Sequence, residues 1–188
     1  MINPRVFALT FLQFLSLNEV YSPSLASPVE TSAPEPIETS EPVLLVGGLD
    51  YRPGDLKIEA QAESLSKGLG GRPVKGIRYK DRAGAEAFIR QNPEATVVLF
   101  SAGCLHAAPL SALVQDPSRF WILEPYAVSR RTVESIKGAL RAGVPEKNIV
   151  VGPSRGRGLG PFSGASRTPT GTGHFGALKE LGKLIAAH

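Results

Sequence analysis

Short apolar runs that alternate with helical patterns are the feature of this 188-residue sequence that most constrains its fold. Residues 43–46 form an uninterrupted apolar run followed by two glycines, which is typical of a strand buried on both faces of a parallel sheet. Apolar residues then recur at helical spacing from Ile58, which predicts a helix. The alternation continues: further strands are predicted at residues 74–79, 96–100, 120–123 and 148–151, and further helices around residues 85–89, after Gly103, from Ser129 and at 174–187.

Repeated strand and helix units of this length determine the fold class. Consecutive parallel strands need right-handed crossover connections, and these carry the helices onto the faces of the sheet. We therefore predict an α/β fold with a doubly wound, mainly parallel five-stranded sheet and helices on both faces. Ligands bind at the carboxyl ends of the strands in such sheets, so candidate functional residues are expected directly after each predicted strand.

The first 42 residues differ in composition from the predicted α/β domain at residues 43–188. Residues 1–26 contain a lone Arg5, an apolar stretch and small residues at positions 24–26, a pattern typical of a signal peptide. An N-terminal arm that packs on a partner subunit is the alternative. Residues 27–42 are rich in Pro, Ser and Glu and are predicted to be a disordered linker. The first interpretation predicts a secreted or periplasmic protein, and the second predicts an oligomer.

Composition excludes several kinds of site. One Cys cannot form an internal disulfide, and the three widely spaced His residues form no metal-ligand cluster, so we predict neither a metal nor another cofactor. The net charge of +4 comes from basic residues that are scattered along the chain, which argues against nucleic-acid binding. A Gly-rich stretch at residues 152–173 carries Arg155, Arg157 and Arg167, for which we predict contact with an anionic substrate or partner.

A candidate nucleophile follows the third predicted strand. There a buried strand ending in Phe100 runs into Ser101, with Ala102 and Gly103 behind it and Cys104 next. A sharp strand-to-helix turn tolerates little side-chain bulk and would expose the Ser101 hydroxyl at the sheet edge, with the Ala102 N–H as an oxyanion donor. Capping of the following helix is the alternative role for Ser101, and a small buried hydrophobe is the expected role of Cys104.

A Ser hydroxyl needs a base, and His174 opens the last predicted helix at the same edge. Glu124 directly follows the fourth predicted strand and is the acid best placed to orient that imidazole. Asp50 and Asp55, in the polar loop after the first strand, are alternatives for the acid. A salt bridge to a basic neighbour is the alternative role for Glu124, and a capping role is the alternative for His174.

Together these features resemble the α/β-hydrolase family over residues 43–187. The resemblance rests on the strand, turn and helix around Ser101, on the chain order of nucleophile, acid and base, and on a last helix led by His174. It implies a small serine hydrolase, without a cap domain, that cleaves an ester or amide bond of a small or lipid-like substrate. Ser101 would be the nucleophile, Glu124 the orienting acid and His174 the general base.

The resemblance also assigns residues around the nucleophile. The loop after the first strand resembles the place from which the family draws its second oxyanion N–H, so Gly48 or Leu49 joins Ala102 in that role. Asp50 and Tyr51, farther along the loop, are expected to orient substrate or to hold the loop together.

One position supports a different prediction. Leu99 stands two residues before Ser101, where the family pattern G-x-S-x-G has Gly, and its side chain is expected to crowd the turn. The alternative is therefore an α/β-hydrolase-like domain without catalytic activity, which serves as a structural or interaction subunit with residues 1–42 as its arm.

Overall fold

The computed structural model of the chain describes residues 41–48, 57–125, 129–151, 162, 164–167, 169 and 172–187. The predictions for residues 1–26, and for all of residues 27–42 except the last two, lie outside this part of the chain. The described elements are the strands β1 (Val43–Gly47), β2 (Val74–Arg78), β3 (Thr96–Phe100), β4 (Phe120–Leu123), β5 (Ile149–Val151) and β6 (Ser166–Arg167), and the helices α1 (Ile58–Gly68), α2 (Arg82–Gln91), α3 (Ala107–Ser111), α4 (Arg130–Arg141) and α5 (Gly176–Ala186).

Strands and helices alternate along the chain much as the apolar patterns predict. β3 and β4 begin and end at the predicted residues, because all their residues are buried and all except Thr96, at the start of β3, are apolar. Two helices begin at capped positions: the side chain of Asp81 accepts a hydrogen bond from the Gly84 N–H, and that of Ser129 accepts one from the Thr132 N–H. None of the described helices is long and apolar enough to cross a membrane.

The strands of the described residues form one parallel sheet in the order β2-β1-β3-β4-β5-β6. The α/β class and the parallel sheet are confirmed, and the sheet has one strand more than the predicted five. The sixth strand is β6, a two-residue strand that pairs with β5 through Val150↔Ser166 and Val151↔Arg167. Its sequence contains no apolar run, so no pattern indicated it.

Helices cover both faces of the sheet. Successive residues of a strand point to opposite faces, so each buried strand contributes to two separate hydrophobic clusters. Leu99 belongs to the cluster under α2, α3 and α4, and its neighbour Phe100 belongs to the cluster under α1 and α5. Because both faces of these strands are buried, their sequences are continuous apolar runs and do not alternate between apolar and polar residues.

Helices α1 and α5 pack closely against each other. A Cβ atom on Gly182 would lie 2.7 Å from the Gly68 Cα, and one on Gly68 would lie 2.1 Å from the Lys179 carbonyl oxygen, so both positions require glycine. The contact fixes the helix that directly follows His174.

The carboxyl ends of three neighbouring strands meet at one edge of the sheet. The chain leaves β1 toward β2 on one side and later adds β3 on the other, so a crevice is expected between the ends of β1 and β3. Gly48 follows β1, Ser101 follows β3 and Glu124 follows β4. The topology therefore brings three of the predicted site residues to adjacent positions along this edge.

Candidate active site

Ser101 lies at a sharp turn between β3 and the 3₁₀ helix Ser101–His106. Its φ of 55° is in the left-handed region, which is unfavourable for a residue with a Cβ atom. Ser101 is also only 4% exposed, so its position is fixed by close neighbours. A strained Ser between a buried strand and a helix is the geometry that presents a nucleophilic hydroxyl at the edge of an α/β sheet.

Glycine at position 103 allows this turn to pack against β1. A Cβ atom on Gly103 would lie 2.2 Å from the Val46 carbonyl oxygen, a distance that no side chain tolerates. Leu99, which is expected to crowd the turn, is fully buried beneath α2, α3 and α4. It shares that hydrophobic cluster with Cys104 and Ala107, which follow the turn, and it lies on the opposite face of the sheet from Phe100.

Gly48 lies directly against Ser101. A Cβ atom on Gly48 would lie 2.7 Å from the Ser101 Cβ and 3.1 Å from its Oγ, so any larger residue would press on the hydroxyl. The Gly48 N–H donates a hydrogen bond of 3.1 Å to Oε1 of Gln61, a buried residue of α1. The Gly48 N–H, one of the two predicted oxyanion donors from this loop, therefore already has an acceptor, and Leu49 lies outside the described residues.

Glu124 occupies the position next to Ser101 on the neighbouring strand. Phe100 and Leu123 are register partners in β3 and β4, so the residues that follow them leave the sheet side by side. Glu124 has a φ of 48° and is 2% exposed. Within the described part of the chain, Ser101 and Glu124 are the non-glycine residues with a positive φ.

The His174 imidazole lies over the end of β3 and contacts Glu124. Its Nδ1 is 3.4 Å from Glu124 Oε2, near the outer limit of a hydrogen bond. The ring stacks on Phe100 with 4.6 Å between centroids and meets Phe175 edge-on at 5.2 Å. The acid therefore faces Nδ1, and the aromatic contacts hold the ring so that Nε2 lies on the side away from the carboxylate.

Ser101 and His174 are not hydrogen-bonded to each other in this structure. The hydrogen bonds of the described residues include the one between Glu124 and His174 but none from the Ser101 hydroxyl to the imidazole. Catalytic hydrogen bonds are often long or unformed until substrate binds, so this arrangement is compatible with a resting active site. A Ser hydroxyl acts as a nucleophile only when a base lies within hydrogen-bond reach, so activation of Ser101 requires His174 to approach it.

The remaining predicted residues divide between the site and other parts of the structure. Ala102 is buried at the second position of the 3₁₀ helix, where a backbone N–H has no acceptor within the helix. Arg167 is exposed on β6. Several other predicted residues lie outside the described part of the chain: Leu49, Asp50, Tyr51, Asp55, Arg155 and Arg157.

Cys104 and His106 are also chemically reactive residue types, and the side chain of each contacts backbone carbonyl oxygens. The Cys104 thiol lies within 3.6 Å of the Leu99 and Leu123 carbonyl oxygens, and burial raises its pKa well above the usual range. It therefore stays protonated at neutral pH and is a poor nucleophile. The His106 ring contacts the Tyr79 carbonyl oxygen through Nε2 at 2.7 Å.

Among the described residues, no group of three or more His, Cys, Asp or Glu side chains is arranged to bind a metal ion.

Sequence reasoning missed Gln61. It is fully buried although its side chain is polar, and its carboxamide contacts the backbone beside Ser101. A signal was present, because Gln61 lies three positions after Ile58 and four before Leu65, on the apolar face of α1. A polar residue on that face needs a hydrogen-bond partner in the core, and the end of β1 supplies it.

No protein-family model, curated protein or solved structure matches this chain. A functional assignment therefore depends on the geometry and chemistry of the residues at this edge of the sheet.

Proposed function

We propose that this protein is a serine hydrolase with an α/β-hydrolase-like core, in which Ser101 is the nucleophile, His174 the general base and Glu124 the acid that orients it. The observation that carries the proposal is the pairing of two strained residues on adjacent strand ends with an imidazole above them. Left-handed backbone costs about 1–2 kcal/mol at a residue with a Cβ atom, and such strain is concentrated at functional sites. Both strained residues, Ser101 and Glu124, are members of the proposed triad.

The first half of the reaction transfers an acyl group to Ser101. His174 Nε2 takes the hydroxyl proton as Oγ bonds to the carbonyl carbon of the substrate, and Glu124 stabilises the imidazolium through Nδ1–H. The tetrahedral intermediate then collapses, its bond to the leaving group breaks, and His174 returns the proton to the departing alcohol or amine. The product of this half-reaction is an ester between Ser101 and the acyl group.

The second half releases the acid. A water molecule attacks the acyl-enzyme carbonyl, and its proton passes to His174 Nε2. Collapse of the second tetrahedral intermediate breaks the bond to Oγ, and the same proton returns to Ser101. In both halves negative charge develops on the carbonyl oxygen, for which we propose the N–H groups of Ala102 and Leu49 as donors.

The residues around the proposed triad favour one class of substrate. Gly48 lies directly against Ser101, and the His174 ring packs against the Phe100 and Phe175 rings. Apolar rings around the base favour an ester with an apolar acyl or alkyl group over a highly charged one. We therefore propose a small or lipid-like ester as the substrate, and propose Arg155, Arg157 and Arg167 as contacts for an anionic group.

Hydrolysis of a nitrophenyl ester tests this proposal. With p-nitrophenyl butyrate the protein is expected to release one equivalent of nitrophenolate per chain in a burst, followed by slower turnover, because acylation of Ser101 precedes deacylation. Replacing His174 with Ala is expected to lower the burst rate about 10³-fold or more, since the hydroxyl loses its base.

The matched control is His106→Ala, which removes an imidazole that contacts a backbone carbonyl away from the triad. It should leave the burst unchanged. Equal loss in both His variants would contradict the role of His174 as the general base, and no burst in the unaltered protein would favour the alternative of a non-catalytic α/β-hydrolase-like interaction subunit. That alternative draws support from the missing hydrogen bond between Ser101 and His174.

A further inference from the structure

A buried carboxamide lies behind the proposed nucleophile. Gln61 is fully buried on α1, and its Oε1 accepts the Gly48 N–H at 3.1 Å. Gly48 in turn lies against the hydroxyl, because a Cβ atom there would be 3.1 Å from Ser101 Oγ. The side chain of Gln61 is therefore connected to the nucleophile through a single peptide group.

Gly47, the last residue of β1, also lies close to this carboxamide. A Cβ atom on Gly47 would lie 2.6 Å from Gln61 Oε1 and 2.2 Å from Ile58 Cδ1, so the backbone and α1 approach as closely as glycine allows. The hydrogen bond thus sets where the backbone of Gly48 lies relative to Ser101.

We propose that Gln61 is a positioning residue of this hydrolase, whose side-chain carbonyl holds the Gly48 peptide against the Ser101 hydroxyl and so fixes the space in which the tetrahedral intermediate forms. This inference rests on the proposed function of Ser101. Gln61 does not touch the substrate carbonyl; it acts through Gly48. Catalytic groups must be held within about 0.5 Å of their productive geometry, and a displacement of about 1 Å costs on the order of 100-fold in rate.

Gln61→Met tests the proposal, because Met is similar in length and flexibility but has no strong acceptor. The readout is labelling of Ser101 by a fluorophosphonate, in which Oγ bonds to phosphorus, fluoride leaves and His174 takes the hydroxyl proton. The labelling rate at saturating probe is expected to fall by about 10–100-fold, while the probe concentration for half-maximal rate changes less than threefold. Gln61→Glu keeps an acceptor oxygen and is expected to restore the rate to within about fivefold of the unaltered protein.

Asn148→Leu is the matched control for loss of a buried amide. The Asn148 side chain donates to the Ser118 and Phe120 carbonyl oxygens at the amino end of β4, far along the strand from Ser101. It should destabilise the protein without slowing labelling. If Gln61→Met fails to fold, Gln61→Asn replaces it, because its shorter carboxamide stays polar but cannot reach Gly48.

The outcomes separate this proposal from the one on which it depends. If the unaltered protein is not labelled at Ser101, the proposed function fails. If it is labelled and Gln61→Met or Gln61→Asn reacts at the same rate, only the positioning role is overturned. A slower rate that Gln61→Glu also shows, or that Asn148→Leu reproduces, would likewise overturn the positioning role, because the loss would then reflect general destabilisation.

Discussion

Replacing Ser101 with Gly is expected to abolish ester hydrolysis and yet to leave the protein about 1 kcal/mol more stable than replacing it with Ala. Both substitutions remove the nucleophilic oxygen, so both should lower turnover by about 10³-fold or more. They differ in backbone strain. The φ of 55° at this position penalises the Cβ atom of Ala, whereas Gly adopts it without cost.

This comparison of Gly and Ala variants is informative because Ala is usually the more stable of the two. In a helix Gly is less stable than Ala by about 1 kcal/mol, so the same pair of substitutions at Ser111, a buried residue of α3, should favour Ala. Urea unfolding of the four variants gives the free energies of unfolding, and nitrophenyl ester hydrolysis gives the activities. A Ser101→Gly protein that is less stable than Ser101→Ala would contradict the strained turn after β3.

Gly103→Ala is expected to lower the free energy of unfolding by about 3 kcal/mol or more. The new Cβ atom would lie 2.2 Å from the Val46 carbonyl oxygen. This neighbour is backbone in a fully buried strand, so neither side can move without separating β1 from the turn that carries Ser101. Hydrolytic activity should fall with stability, because the same displacement moves the nucleophile.

The control is Gly173→Ala, where a Cβ atom would meet no other atom within 4 Å. Its unfolding free energy should stay within about 0.5 kcal/mol of the unaltered protein. Thermal and urea unfolding of both variants measure the difference. If Gly103→Ala is as stable as Gly173→Ala, the close packing of the turn against β1 is wrong, and with it the restriction to glycine at this position.

The elements that are predicted correctly are those whose burial produces a pattern of apolar residues in the sequence. β3 and β4 are buried on both faces and, apart from Thr96 at the start of β3, consist of apolar residues, so both strands begin and end at the predicted positions. β6 was missed because Ser166 and Arg167 carry no apolar pattern, and only pairing with β5 makes them a strand. Pairing of this kind depends on tertiary contacts that no local pattern encodes.

The candidate site was predictable to the level of strand ends but not to the level of contacts. Topology alone brings Ser101 and Glu124 to neighbouring positions, because parallel strands end at a common edge. The approach of His174 to Glu124 depends on α5 packing against α1, and the role of Gln61 depends on the path of the chain after β1. The sharp turn at Ser101 was expected from the sequence, whereas no sequence pattern indicates the left-handed backbone at Glu124.

The location of a covalent fluorophosphonate adduct tests the central claim most directly. The protein is treated with the probe at neutral pH, its intact mass is measured, and the modified residue is identified by peptide sequencing in a mass spectrometer. We expect one adduct per chain, on Ser101, and no adduct in the Ser101→Ala or His174→Ala proteins over the same time. A folded protein that remains unmodified, or one that is modified at another residue, would contradict the assignment of Ser101 as a nucleophile activated by His174.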